Sequence, residues 1–346
     1  MRAVLFAGEG AVRVDEVPAP RLRDPDDAVV RVSLSAICGS DLHLLDGKTP
    51  GMREGSVIGH EFVGVVEDCD SGVTSVTPGD RVLGSFLIVC GTCPACAAKR
   101  FNFCHNRRAL GLGVLTGDLD GAQAESVLVP KADVNLKPLD DGLSDERALF
   151  GGDILATGFF AASLAEPEPD EHVAVVGAGP IGLLTGAALK HMGAEPLLLD
   201  IEAARVSSAR ELGYRAAQLG QRDVLGVVAE HTEGAMAAAA IDAVGSVPAF
   251  KTAMMSVRDG GRVVVIGVYG AERYEFPMGK VWIRGLDLRF GGMANVQAHW
   301  DEALAAVASG SLDPTRLISH RLPLEEAEKG YELFAAREAT KVVLIP

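Results

Sequence analysis

The stretch VAVVGAGPIGLL, residues 173–184, limits what this chain can fold into more than any other feature. Gly177, Gly179 and Gly182 stand in G-x-G-x-x-G spacing, after a short apolar run (172–176) and before a helical pattern (183–192). Gly177 permits a tight turn, Gly179 lets the backbone approach a pyrophosphate, and Gly182 allows a helix to pack closely on a strand. Pro180 and Ile181 complete the turn. A second apolar run, 196–199, ends at Asp200, 18 residues beyond Gly182. A strand before, a helix after and an acid closing the next strand form the context that confirms a dinucleotide fingerprint. Asp200 is expected to accept hydrogen bonds from the adenosine ribose. A 2′-phosphate there would meet a like charge, so NAD is favoured over NADP, and Arg205 is the residue that could partly neutralise such a phosphate.

Helical and strand patterns keep alternating after this turn. Residues 203–212 read as helix, 240–243 as strand, 249–257 as helix, and 262–266 as an apolar strand closed by Gly267. Such alternation predicts right-handed βαβ units and a doubly wound parallel sheet, hence an α/β fold. The first 150 residues read differently, as short strands (28–35, 62–68) and turns such as Gly79-Asp80. From His299 onward two amphipathic helices and a last strand, 341–345, follow. A chain of 346 residues exceeds one ordinary core. The expected division is a β-rich catalytic domain, 1–152 with 291–346, and a dinucleotide domain, 153–290. The Pro/Glu-rich stretch 165–171 is read as the connection between them.

Composition excludes some partners. Hydrophobic residues make up 48% and charged residues 23%, and the net charge of −15 disfavours nucleic acid or an anionic membrane. The N-terminus lacks a basic start, apolar run and cleavage site, so a cytoplasmic location is expected. Six cysteines in such a chain point to metal or catalysis rather than disulfides. Four of them, Cys90, Cys93, Cys96 and Cys104, lie in CGTCPACAAKRFNFC with spacings x2, x2 and x7. Four thiolates on a short loop suit a closed tetrahedral zinc site whose metal supplies local folding energy. A ferredoxin-like cluster fits less well, because its fourth cysteine belongs at x3 with proline after it.

Two further motifs are Cys38-Gly39-Ser40-Asp41-Leu42-His43 and Gly59-His60-Glu61. Together with Gly64, Gly79-Asp80-Arg81-Val82, the cysteine lobe, DGAQAE (120–125), the turn at 177–182 and Ile266-Gly267-Val268, they make nearly the whole chain resemble the zinc-containing medium-chain alcohol dehydrogenases. That resemblance implies a GroES-like catalytic domain beside a Rossmann cofactor domain. It implies two zinc ions per chain, one structural at the four cysteines and one catalytic held by Cys38 and His60. The family's third catalytic ligand is a Cys, Glu or Asp before the cofactor domain. In GGDILATGFFAA the suitable residue is Asp153, with helix capping as its alternative use. Glu61 resembles a family glutamate that approaches the metal.

The resemblance further implies that Ser40 and His43 relay the alcohol's proton, and that Thr157, Ile266, Gly267 and Val268 lie near the cofactor. Ala156, Phe159 and Ser126 replace a proline, a tyrosine and an aromatic common in relatives, which obscures substrate size. The expected reaction is hydride transfer between a secondary alcohol or polyol and NAD, giving a ketone or aldehyde. The alternatives are a zinc-free quinone or enone reductase and a non-catalytic cofactor-binding descendant. A homodimer or homotetramer is expected, with a shared sheet edge at 262–268 and 273–282.

Overall fold

Six short strands pair in parallel in the order Arg215–Gln218, Glu195–Asp200, His172–Val176, Ala237–Asp242, Val257–Val265, Asp287–Phe290. In this computed structural model residues 1–47, 51–220, 223–269 and 273–346 are described. They form two compact units, Met1–Ala156 with Asn295–Pro346, and Thr157–Ala294. The parallel sheet is the core of the second unit. Its central strands are largely apolar and buried, as strands covered on both faces must be. The order turns back at His172–Val176, whose neighbours are Glu195–Asp200 on one side and Ala237–Asp242 on the other.

Several elements depart from the sequence reading. The helix after the glycine turn is Pro180–His191, so it begins inside the fingerprint, with Gly179 as its N-cap and proline at its first position. The strand expected at 240–243 runs instead over Ala237–Asp242, a run of alanines with little strand preference of its own, held by pairing on both sides. Strands Arg215–Gln218 and Asp287–Phe290 and helices Val224–His231 and Met278–Ile283 carry no pattern strong enough to predict them. Residues 262–265 are therefore no sheet edge: Arg262 pairs with Asp287 and Val265 with Phe290, which puts Asp287–Phe290 outermost. The Pro/Glu-rich stretch 165–171 lies within the second unit, between Ile154–Ala165 and His172–Val176, and does not connect the two units.

The first unit is built on a mostly antiparallel sheet ordered Ile318–Pro323, Lys341–Ile345, Ala28–Ile37, Glu61–Cys69, Arg81–Gly84, Leu136–Pro138. Its register brings three strand ends to one corner. Val342 pairs with Ile37, and Ala36 pairs with Glu61. Cys38, Glu61 and Lys341, remote in sequence, thus start out as neighbours. A second, two-stranded ribbon, Leu87–Ile88 with Arg108–Ala109, forms the base of the cysteine lobe and closes the loop between its ends. Among the described residues no single helix is long and apolar enough to cross a membrane.

Candidate active site

Cys38 follows the central strand and caps helix Gly39–Leu45; its N–H donates to Asp41 Oδ2 at 2.9 Å. His60 and Glu61 open the neighbouring strand, and Asp153 sits between the short helical turn Leu149–Gly152 and helix Ile154–Ala165. One donor atom from each of Cys38, His60, Glu61 and Asp153 lies within 4.8 Å of the others, and all four residues are buried. Cys38 Sγ is 3.6 Å from Asp153 Oδ2, and His60 Nε2 is 3.3 Å from the same oxygen. A tetrahedral zinc with bonds of about 2.0–2.3 Å needs ligand–ligand edges of roughly 3.3–3.8 Å. The donor set fits that ion.

Its charge fits as well. With Cys38 as thiolate and His60 neutral, the forms in which they ligate a metal, the carboxylates of Asp41, Glu61 and Asp153 and this thiolate face the buried Lys341 ammonium, an excess a dication would offset. The titration of Cys38, Glu61 and His60 reflects the crowding. Burial pushes the Cys38 thiol up, and the charges of Asp153 and Glu61 add to it. Burial raises the Glu61 carboxyl to about 7, against the opposing charge of Lys341. For His60 burial opposes the charged ring, but the charge of Asp41 and a hydrogen bond with Asp153 outweigh it, so its pKa lies well above the ordinary value.

Asp41, Gln123, Tyr331 and Lys341 have no assigned role in the sequence reading, and each supports a donor. His60 Nδ1 lies 3.2 Å from Asp41 Oδ1, close but poorly aligned for a hydrogen bond, and this contact turns Nε2 toward Asp153. A carboxylate behind a ligating imidazole orients the ring and selects its tautomer. Asp41 Oδ2 also accepts from Gln123 Nε2 at 3.3 Å, and Gln123 Oε1 accepts from the Tyr331 hydroxyl at 2.8 Å. Lys341 Nζ donates to Glu61 Oε1 at 2.6 Å, while Glu61 Oε2 has no hydrogen-bond partner among the described residues and lies buried. Asp41 and Gln123 sit inside motifs that are readable in the sequence; Lys341 carries no local signal. Ser40 Oγ is 3.2 Å from His60 Nε2, and His43, half-buried, lies one turn along the same helix face.

The four-cysteine lobe closes on itself. Cys93 and Cys96 Sγ are 3.6 Å apart, and Cys90 and Cys104 Sγ are 3.5 Å apart, near the roughly 3.8 Å edge of a zinc tetrathiolate. All four cysteines are free of disulfides. The Asn295 side chain ties the lobe down, accepting from Phe101 N–H and donating to the Lys99 carbonyl. Cys69, also free and half-buried, belongs to neither donor group.

In the second unit Gly177 adopts φ +101°, and a Cβ on Gly182 would lie 1.8 Å from the Gly177 carbonyl, so the turn and helix meet backbone to backbone. Gly179 has open space where a Cβ would point. Asp200 is buried; its Oδ2 accepts from Ala178 N–H at 2.7 Å and its Oδ1 from Glu202 N–H at 2.9 Å. The acid thus braces the glycine turn, a role its spacing did not announce. Arg205, largely exposed, approaches Asp200 Oδ2 to 3.8 Å. Ile266 and Gly267 N–H both donate to the Asp242 carbonyl, Val268 is exposed, and Thr157 is buried.

A β-rich unit with a tetrathiolate lobe and a buried thiolate–imidazole–carboxylate group, joined to a dinucleotide fold, defines a zinc-dependent dehydrogenase. Residues 24–139 match the alcohol dehydrogenase GroES-like domain family and residues 180–309 the zinc-binding dehydrogenase family. The "probable zinc-binding alcohol dehydrogenase" of Mycobacterium tuberculosis is 36% identical, over 99% of this chain and 87% of its own. The structure of the alcohol dehydrogenase of Thermus sp. ATN1 superposes with a TM-score of 0.95 at 44% identity, covering 100% of this chain and 99% of that one. A zinc-binding dehydrogenase of Sinorhizobium meliloti solved with NADP bound superposes at 0.85 with 30% identity, covering 100% and 99%. The chain belongs to the zinc-containing alcohol dehydrogenase family.

Proposed function

We propose that this enzyme oxidises a secondary alcohol or polyol to the ketone or aldehyde with NAD as the hydride acceptor, and runs in reverse when the cofactor ratio demands. The observation that carries the reading is the buried Cys38–His60–Asp153 group, with Ser40 beside it. When bound, zinc supplies a Lewis-acid charge that lowers the pKa of an alcohol, and NAD accepts the hydride. Cys38, His60 and Asp153 hold the metal, with Asp41 fixing the imidazole from behind. Glu61 stays paired to Lys341 at the edge of the group. The Ser40 hydroxyl accepts the alcohol's proton as it gives up its own, and His43, whose imidazole can accept a proton on one nitrogen and donate from the other, passes the proton outward. Cys90, Cys93, Cys96 and Cys104 hold a second, structural zinc.

In the second unit the first N–H groups of helix Pro180–His191 offer donors for the pyrophosphate, and Asp200 an acceptor for ribose hydroxyls. The Asp200 charge favours NAD; Arg205 beside it, with an NADP-bound relative, supports NADP as the second reading. A panel of secondary alcohols and polyols, offered with NAD and then NADP and followed by absorbance of the reduced nicotinamide, is expected to show NAD-linked turnover. Metal analysis of the same sample is expected to give about two zinc ions per chain. Absence of turnover with every alcohol and both cofactors counts against the reading.

A second copy of the chain is the proposed partner. The outermost strand of the parallel sheet, Asp287–Phe290, leaves one edge unpaired among the described residues. Phe290 on this strand and Trp282 and Ile283 in the helix before it are about two-thirds or more exposed, and large exposed apolar side chains of this kind mark a surface that another chain covers. Trp282→Asp is expected to shift the protein to monomer in size-exclusion chromatography with light scattering. An unchanged mass would move the interface elsewhere.

A further inference from the structure

One buried carboxylate in the second unit is unused by the reaction proposed above. Asp242 is fully buried and ends strand Ala237–Asp242, opposite Val176 on one side and Val265 on the other. It therefore stands at the carboxyl ends of the strands, at the point where their order turns back, which is where open α/β sheets bind ligands. Three loops leave the sheet here, and Asp242 or its neighbour bonds to each. Ala243 N–H donates to the Val176 carbonyl, just before the glycine turn. Asp242 Oδ1 accepts from Val244 and Gly245 N–H at 2.9 and 3.0 Å. Its main-chain carbonyl accepts from Ile266 and Gly267 N–H. Its Oδ2 accepts from the Tyr269 hydroxyl at 2.7 Å, and that hydroxyl also lies 2.8 Å from the Ser246 carbonyl.

These loops touch with no space left over. A Cβ on Gly245, at φ +80°, would lie 2.2 Å from the Val268 carbonyl, and one on Gly177 would lie 2.6 Å from Val244 Cγ2. Val244 and Val268 nonetheless remain half exposed, so the joined loops present two apolar side chains outward. Burial and the Asp242 charge push the Tyr269 hydroxyl's pKa upward, so it stays protonated and remains a donor.

We propose that Asp242 and Tyr269 form a clamp that locks the turns 243–246 and 266–269 together as one preformed wall of the dinucleotide crevice, making Tyr269 a positioning residue for the cofactor. The proposal rests on the reading that this unit binds a nicotinamide dinucleotide. Without the clamp the main-chain bonds of Ile266 and Gly267 to Asp242 still join the turns, but their outer residues lose the side-chain tie, and binding must order them again at the expense of affinity. Hydrogen-bond inventory gives the variants. Tyr269→Phe removes the proton that joins the two side chains and leaves Asp242 Oδ2 unserved. Asp242→Asn keeps the link: Oδ1 still accepts from Val244 and Gly245, and Nδ2 donates to Tyr269 Oη, whose proton then goes to Ser246.

The test is titration of the zinc-loaded protein with NADH and with NADPH, read by nicotinamide fluorescence, alongside steady-state kinetics. Tyr269→Phe is expected to raise the Kd about five- to tenfold, with KM for the cofactor rising more than kcat falls. Asp242→Asn is expected to stay within about twofold of the parent, whereas Asp242→Ala follows Tyr269→Phe. Parental affinity in a folded Tyr269→Phe protein, or a loss in Asp242→Asn as large as in Asp242→Ala, overturns the clamp. If the parent protein binds neither NADH nor NADPH, the dinucleotide reading itself fails and the clamp falls with it.

Discussion

Asp153→Ala is expected to lower kcat/KM at least a thousandfold and to leave about one zinc ion per chain where the parent holds about two. The size follows from what a third donor does. With only Cys38 and His60 remaining on the metal, the ion is held loosely. The several kcal/mol of transition-state stabilisation that a well-held Lewis acid provides are then lost, at tenfold in rate for every ~1.4 kcal/mol. Metal content separates this from the plainer role of Asp153 as a helix cap. Loss of a cap costs about 1 kcal/mol of stability and leaves the metal in place. Asp153 Oδ2 lies 3.6 Å from Cys38 Sγ and 3.3 Å from His60 Nε2, the spacing the proposed zinc requires of its ligands. Asp153→Cys, which keeps a charged donor, should retain both zinc ions and part of the activity. A fully active Asp153→Ala protein with its metal intact would remove Asp153 from the coordination sphere.

The two groups of candidate donors were legible because metal chemistry allows few residue types. Four cysteines crowded within 15 residues, or a cysteine and a histidine set in short motifs, seldom serve a chain in any way but as ligands. The glycine turn was legible for a similar reason, since close backbone approach tolerates no side chain. What could not be read depends on pairings between distant segments. Asp41 behind His60 is set by a helix meeting a strand start 19 residues later. The Asp242–Tyr269 contact spans 27 residues and joins two turns that only the parallel sheet brings together. Strand Ala237–Asp242 was misplaced in the sequence for a different reason, because alanines gain strand structure only from their flanking partners. The outermost strand, four residues with two charges, looks like loop and moves the expected sheet edge by one strand.

Lys341 is the clearest case of a residue whose importance exists only in three dimensions, and its removal is expected to cost stability more than any other single change outside the metal donors. It opens the last strand of the chain, is 1% exposed, and reaches Glu61 from the opposite side of the central strand. The pair is thus a buried bridge between the two strands that flank Ala28–Ile37. Breaking such a pair by deleting one partner strands the other charge, a penalty of about 3–5 kcal/mol. Lys341→Met, which keeps most of the volume, should therefore lower the urea midpoint markedly without changing the slope of the transition. Adding Glu61→Gln should recover most of that loss, since replacing both members of a buried pair is often close to neutral. The coupling from this double-mutant cycle, read at equal zinc content, measures the bridge itself. Near-additive losses would mean that Lys341 acts through packing and that Glu61 finds its compensation in the metal.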